Sequence, residues 1–268
     1  MNTPIAKQPI GIFDSGMGGL TVVRKLAELL PHEDLVYLGD TARVPYGNRS
    51  PKAIIRYSQA CVRFLLTHSV KHILIACNTA SAVALEAIAQ LSTVPVTGVI
   101  KPAARLVAAE KYARVGVIGT RTTIQSQAYE IEIQAQRHPD TVFVCAQACP
   151  LFVPLIEEGW EEHAATRLIA KAYLEPIKRA EVEALILGCT HYPFLREVIS
   201  RELPEVHLID SGVEAAMAVA QRAGSTAQQN TGGKISCYVT DVTPTFSYVA
   251  QQFLGVSSQA LHPIHLPL

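Results

Sequence analysis

Short apolar runs ended by a small or polar residue, each followed by a longer segment with apolar residues at helical spacing, recur along the chain. Ile10-Gly11-Ile12-Phe13 enters Asp14-Ser15-Gly16-Met17-Gly18-Gly19, a tight turn into a helix over Leu20 to Leu30. Leu35-Val36-Tyr37-Leu38 is a second strand that ends in Gly39-Asp40, followed by a loop through Tyr46-Gly47 and a helix opened by Ser50-Pro51. His72-Ile73-Leu74-Ile75-Ala76 runs into Cys77-Asn78-Thr79, with helical spacing over Ala82 to Leu91, and Pro95 to Ile100 is a fourth strand. The rhythm restarts at Val115-Gly116-Val117-Ile118-Gly119-Thr120, which resembles the opening strand and turn. A helix over Ile124 to Arg137, a strand over Val142 to Cys145 and a proline-rich loop from Cys149 toward Glu157 follow. Ala184-Leu185-Ile186-Leu187-Gly188 then delivers Cys189-Thr190-His191, and Val206 to Asp210 is the next strand. Ile235 to Val239 and a helix over Pro244 to Leu254 complete the series, with Ser225 to Gly233 as the segment expected to be most mobile.

Strands alternating with helices predict an α/β fold, and the restart predicts two similar domains, each a mainly parallel sheet flanked by helices, with the site in the cleft between them. The chain has 268 residues, of which 49% are hydrophobic, enough for a sizeable core. Lys plus Arg and Asp plus Glu both number 23, so neither nucleic acid nor an anionic membrane is an expected partner. Met1 to Pro9 carries no apolar run and no later run is long enough to span a bilayer, so a soluble, cytoplasmic protein is expected. Its six cysteines are then expected to be reduced; none forms a C-x-x-C pair, and no metal site is expected.

In open parallel sheets, ligands bind beyond the carboxyl ends of the strands. Asp14, Ser15, Asp40, Cys77, Asn78, Thr79, Cys189, Thr190 and His191 fall at those ends. Cys77 and Cys189 occupy equivalent places in two copies of one unit, and a thiol where a helix starts is expected to ionise more easily than usual. Two thiols reaching a ligand from opposite sides suit inversion at a carbon that bears an acidic hydrogen: one removes the hydrogen, the other supplies one. An ordinary thiol is only about 3% thiolate at pH 7, and a pKa near 7 would gain about 2 kcal/mol over that. A resting pair of one thiolate and one thiol would titrate as a coupled unit. Cys61, Cys145, Cys149 and Cys237 read as small core residues.

Gly16-Met17-Gly18-Gly19 followed by Asp40 imitates a dinucleotide fingerprint but fails at Thr21, and no P-loop lysine is present. The same turn can offer backbone N–H groups to a carboxylate. Asp14 reads either as a turn-forming cap or as a site residue near a ligand ammonium. His191 reads as a helix cap or as a proton-handling group beside Cys189. Glu157 reads as solvent-exposed.

Phe13-Asp14-Ser15-Gly16, the run Gly39 to Gly47, Ala76-Cys77-Asn78-Thr79-Ala80-Ser81, Leu187-Gly188-Cys189-Thr190-His191-Tyr192-Pro193 and Tyr238-Val239-Thr240-Asp241 closely resemble the glutamate racemases of bacterial cell-wall synthesis. The resemblance implies cofactor-independent interconversion of L- and D-glutamate, feeding D-glutamate to peptidoglycan. It implies that Cys77 acts on D-glutamate and Cys189 on L-glutamate, assisted by Asp14 and His191. Asp14, Ser15, Tyr46, Gly47, Asn78, Thr79, Thr190 and His191 match the family's substrate-binding positions, and Asp40 and Glu157 its supporting ones. It further implies a first domain of residues 1–98 plus 211–268, a second of 99–210, and a homodimer. Only nine residues precede Ile10, so control by a cell-wall precursor through an N-terminal extension is not expected. A racemase for another acid such as aspartate, a two-domain binding protein for small acids, and a nicotinamide-dependent oxidoreductase are the alternatives.

Overall fold

The computed structural model describes residues 8–136, 142–223 and 232–267. Its elements in chain order begin with β1 (Ile10–Asp14), α1 (Gly19–Leu29), β2 (Leu35–Gly39), α2 (Pro51–Thr67), β3 (His72–Ile75), α3 (Asn78–Val83), α4 (Leu85–Leu91) and β4 (Val96–Gly98). There follow α5 (Ile100–Ala109), β5 (Arg114–Gly119), α6 (Arg121–Gln125), α7 (Ala128–Gln136), β6 (Phe143–Ala148), α8 (Phe152–Glu157), α9 (Ala164–Arg179) and β7 (Ala184–Gly188). The chain closes with α10 (Arg196–Glu202), β8 (His207–Asp210), α11 (Ser211–Ala223), β9 (Ile235–Val239), α12 (Pro244–Leu254) and β10 (Leu261–Pro263).

The strands form two sheets, ordered β10-β9-β2-β1-β3-β4 and β6-β5-β7-β8, and every pairing between them is parallel. The order β2-β1-β3-β4 in the first sheet is repeated as β6-β5-β7-β8 in the second, so the repeat read from sequence is a repeat of topology. The tail adds to the first sheet, β9 pairing with β2 and β10 with β9. Central strands covered on both faces cannot alternate apolar and polar residues. β1, β2, β3 and β7 are accordingly buried at every position, and their sequences are the unbroken apolar runs that mark them.

Local chemistry sets the helix ends. Ser50 caps α2 by accepting from the Ala53 amide at 3.3 Å, with Pro51 at the first helical position. Thr243 caps α12 through the Phe246 amide at 3.1 Å, and the helix stops at Gly255 in the left-handed region (φ 65°).

Several expected elements change in detail. The helix expected over Ile124 to Arg137 is two, α6 and α7, because Gln127 between them takes φ 55° and cannot continue a right-handed turn; Arg137 lies outside the described residues. The helical segment after Cys77 starts earlier than expected, at Asn78, and divides at Ala84. The fourth strand is shorter, since α5 already begins at Ile100, and the strand at Phe143 runs on to Ala148. β10 has no counterpart in the sequence reading. Cys61, Cys149 and Cys237 are fully buried, whereas Cys145 is half-buried because β6 lies at a sheet edge. The polar segment at Ser225 falls, through residue 231, outside the described residues.

The tail is anchored by α12, whose buried Phe246 stacks on Tyr37 of β2 with ring centroids 6.3 Å apart. Phe246→Ala should cost about 3–5 kcal/mol of stability, read as a lowered midpoint in urea unfolding; a change below about 0.5 kcal/mol would mean the tail contributes nothing to the first sheet.

Candidate active site

In a sheet of order 2-1-3-4 the chain leaves β1 in one direction and returns on its other side, which opens a crevice beyond the ends of β1 and β3. Asp14 ends β1 and Cys77 follows β3; in the second sheet Thr120 follows β5 and Cys189 follows β7. Each cysteine therefore stands at the switch point of its own sheet.

Asp14 is fully buried and is the hub of the first half. Its Oδ2 accepts from the Gly16 and Gly19 amides at 2.9 and 3.1 Å, and its Oδ1 accepts from the Thr190 hydroxyl at 3.3 Å. The glycine turn does present N–H groups to a carboxylate, but the carboxylate is Asp14's own. Burial pushes the Asp14 carboxyl up from its ordinary range, while His191 and the hydrogen-bond donors pull against that rise.

Cys77 caps α3, accepting from the Ala80 amide at 3.5 Å, and its Sγ donates to Ser15 Oγ at 3.4 Å. The expected easy ionisation of this thiol is not found. Burial, and then the Asp14 charge, drive it up to about 12; the Ser15 and Ala80 hydrogen bonds offset only part of the rise, and Cys189 adds to it. A six-residue helix start is too weak a source of positive potential to outweigh removal from water.

On the other side, His191 is buried with Nδ1 3.9 Å from the Cys189 sulfur and Nε2 3.2 Å from Glu157 Oε1. It leads into the 3₁₀ turn Tyr192–Leu195 but makes no capping hydrogen bond, so of its two readings the geometry favours proton handling. Burial opposes charge on the ring, yet hydrogen bonds to Cys189 and Glu157, together with their charges, raise its pKa to about 10. Glu157 is 31% exposed rather than free in solvent, because His191 holds it. A Cβ on Gly18 would lie 2.8 Å from His191 Nδ1, so only glycine lets the first turn lie against Thr190 and His191.

The remaining expected residues divide between hydroxyl-rich and structural places. Asn78 accepts from the Tyr129 hydroxyl and donates to Ser211 Oγ at 3.1 Å, and Ser211 donates to the Leu187 carbonyl at 2.9 Å. Thr79 Oγ1 lies 3.0 Å from Thr120 Oγ1 and 3.3 Å from Thr123 Oγ1, a buried group of three hydroxyls supplied by both sheets. Sequence reading missed Thr120 and Thr123; the signal was the restart itself, which puts Thr120 where Ser15 stands in the first copy. Tyr46 and Gly47 belong to the 3₁₀ turn Tyr46–Asn48, and a Cβ on Gly47 would meet Thr120 Cγ2 at 2.7 Å. Asp40 stands apart from both cysteines: it accepts from Tyr46, from Thr240 at 2.9 Å and from Arg43 at 3.4 Å, which ties β2 to the tail. A cavity of about 210 Å³ lies outside His191, lined by Gly16, Val44, Glu157, Glu158 and Phe246 among others. Among the described residues no group of three His, Cys, Asp or Glu is arranged to hold a metal ion, and no helix is long and apolar enough to cross a membrane.

Two parallel α/β sheets of repeated topology, with a cysteine at each switch point and an acid–histidine–acid cluster between them, define an α/β protein built for acid–base work on a small ligand. The family described as Asp/Glu/Hydantoin racemase matches residues 10–220, and the chain belongs to it. The chain is 48% identical to a glutamate racemase of Geobacter metallireducens over 254 residues, 92% of each chain. It is 46% identical to one of Syntrophus aciditrophicus over 263 residues, covering 96% of this chain and 97% of that one. Among solved structures, the glutamate racemase of Francisella tularensis in complex with D-glutamate superposes with a TM-score of 0.90 at 38% identity, covering 97% of this chain and 98% of that one.

Glu157→Gln should lower the His191 pKa from about 10, as read by the pH titration of the imidazole resonances in nuclear magnetic resonance. Because the folded value lies above the ordinary 6.5, the stabilisation from this pairing is complete below 6.5 and is lost as pH rises through about 10. In the variant that alkaline loss should be smaller and end at lower pH; an unchanged titration would mean that Glu157 does not act on His191.

Proposed function

We propose that this chain is a glutamate racemase that interconverts L- and D-glutamate by two-base proton transfer between Cys77 and Cys189, with no cofactor. The observation that carries the reading is the placement of one buried cysteine at each of two equivalent switch points, Cys77 facing the Asp14 charge and Cys189 facing His191, with Asp14 hydrogen-bonded to Thr190 between them.

In the direction from L-glutamate, Cys189 acts as thiolate beside the His191 imidazolium and removes the Cα proton. Cys77, whose thiol keeps its proton at neutral pH, delivers that proton to the opposite face. The product is D-glutamate with the charge now on Cys77, where the Ser15 hydroxyl and the Ala80 amide receive it. The reverse reaction uses the same groups in the opposite order. The Cα hydrogen beside a carboxylate is very weakly acidic, so preorganised donors must stabilise the developing carbanion in a site closed to water. Ser15, Asn78, Thr79 and Thr190 are placed to bind the substrate, with the Thr120 and Thr123 hydroxyls as further donors to a carboxylate. Asp14 neutralises the ammonium group and, with its raised pKa, assists Cys77; Tyr46 and Gly47 shape the wall opposite Thr120. Asp40 holds Tyr46, and Glu157 holds His191.

The two domains comprise residues 1–98 plus 211–268 and residues 99–210, and their parting admits substrate. The enzyme works in the cytoplasm as a homodimer and supplies D-glutamate for peptidoglycan. Aspartate, one methylene shorter, is the competing substrate; a pocket distinguishes such homologues by about 10–200-fold in kcat/KM. The two curated relatives above, both glutamate racemases, support the longer acid.

In deuterated water, each enantiomer of glutamate should give product labelled at Cα while recovered substrate stays largely unlabelled. Equal label in both would mean that one base serves both faces. Cys77→Ala and Cys189→Ala should each lower kcat by about 10²–10⁴-fold or more while glutamate still binds, measured by circular dichroism of the turnover mixture and by calorimetry; survival of turnover in either variant would rule out the paired thiols.

A further inference from the structure

A second cavity of about 530 Å³ opens to solvent, lined by Gly47, Arg49 and Val83 from one half of the chain and by Arg121, Thr122 and Gln125 from the other. Arg49 enters it from the segment between β2 and α2, and Arg121 from the first turn of α6. Both arginines are exposed, and neither forms an ion pair among the described residues. No Asp or Glu lines the cavity. The adjoining start of α2 adds Lys52 and Arg56, and no acidic residue occurs between Asp40 and Glu86.

The floor of this cavity is a thin contact. The Thr122 hydroxyl donates to the Gly47 carbonyl at 3.0 Å and lies 3.4 Å from that of Arg49. Directly beneath, Gly47 packs on Thr120, whose hydroxyl belongs to the buried group of three. A single interdomain layer therefore separates the arginines from the hydroxyls best placed to receive a carboxylate. The cavity outside His191 has the opposite character, with Glu157 and Glu158 in its wall and no cationic side chain.

We infer that Arg49 and Arg121 form an anion-collecting mouth through which the dicarboxylate substrate enters, side-chain carboxylate first, past the Gly47–Thr122 contact. This inference rests on the glutamate racemase reading above. Glutamate carries a net charge of −1, so it is drawn to the basic opening. A cleft lined by one sign of charge raises local ligand concentration and on-rate by about 10–10³-fold, an effect that falls as salt screens it. Arg49 and Arg121 come to the cavity from different halves of the chain. They are positioning residues: they gather and orient substrate without touching the reacting carbon.

The test is the salt dependence of kcat/KM for L- and D-glutamate in the wild-type chain, in Arg49→Gln/Arg121→Gln and in Arg49→Lys/Arg121→Lys, each checked for its fold by circular dichroism. In the wild type, kcat/KM should fall as NaCl rises. The glutamine pair should lose about fivefold or more of kcat/KM at low ionic strength, keep kcat within about twofold, and show a flattened salt response; the lysine pair should keep the wild-type response. A glutamine pair with wild-type kcat/KM and salt response, or a loss confined to kcat, would overturn the mouth. So would a wild type whose kcat/KM ignores salt. Absence of glutamate turnover in the wild type would sink the functional reading itself and this inference with it, whereas normal wild-type turnover with unaffected variants sinks the mouth alone.

Discussion

A carboxylate buried at the end of β1 holds the two halves of the site in one electrostatic unit. Asp14 sits in a fully buried position, and three hydrogen-bond donors saturate it: two amides of its own glycine turn and the Thr190 hydroxyl from the opposite sheet. A buried carboxylate with that many donors is tolerable; without them its desolvation would cost several kcal/mol. The turn must close around Asp14, Gly18 must lie against Thr190 and His191, and the strand carrying Cys189 must end within reach of β1. The geometry of both cysteines follows from that one set of bonds.

The two sulfurs stand in different surroundings. Cys77 faces the negative potential of Asp14 in a dry environment and keeps its proton, with one hydroxyl and one amide positioned for the moment when it does not. Cys189 faces a histidine held positive by the sulfur and by Glu157. Under the paired-thiol reading proposed above, each thiol needs a partner that stabilises its charged form only part of the time. Ser15 and the Ala80 amide on one side, and His191 backed by Glu157 on the other, are two chemically different solutions to that demand. A repeated fold does not require a repeated acid–base apparatus.

The hydroxyl group of Thr79, Thr120 and Thr123 draws on both sheets, as does the chain of bonds from Asn78 through Ser211 to Leu187. These contacts are polar and bridge the two halves of the chain. Apolar packing also runs between the halves: one buried cluster joins Ile12, Tyr37 and Leu74 of the first sheet with Val117, Ile118 and Leu185 of the second.

The sequence by itself determined the alternation of strand and helix, the repeat, and the two cysteines with their polar neighbours, because these are local patterns: an unbroken apolar run is what a strand covered on both faces must be. It also showed that Asp14, Ser15, Thr190 and His191 end such runs, and therefore that they gather where ligands bind. What it could not determine depends on groups distant along the chain. The late strand β10, the grip of Glu157 on His191 and the contribution of Thr120 and Thr123 all arise from contacts between separate elements. The clearest reversal is Cys77: a helix start argues for an acidic thiol, but burial and the Asp14 charge decide otherwise. Local pattern fixes which residues reach the site; the dielectric around them and the charges facing them are set only when two sheets close over one another.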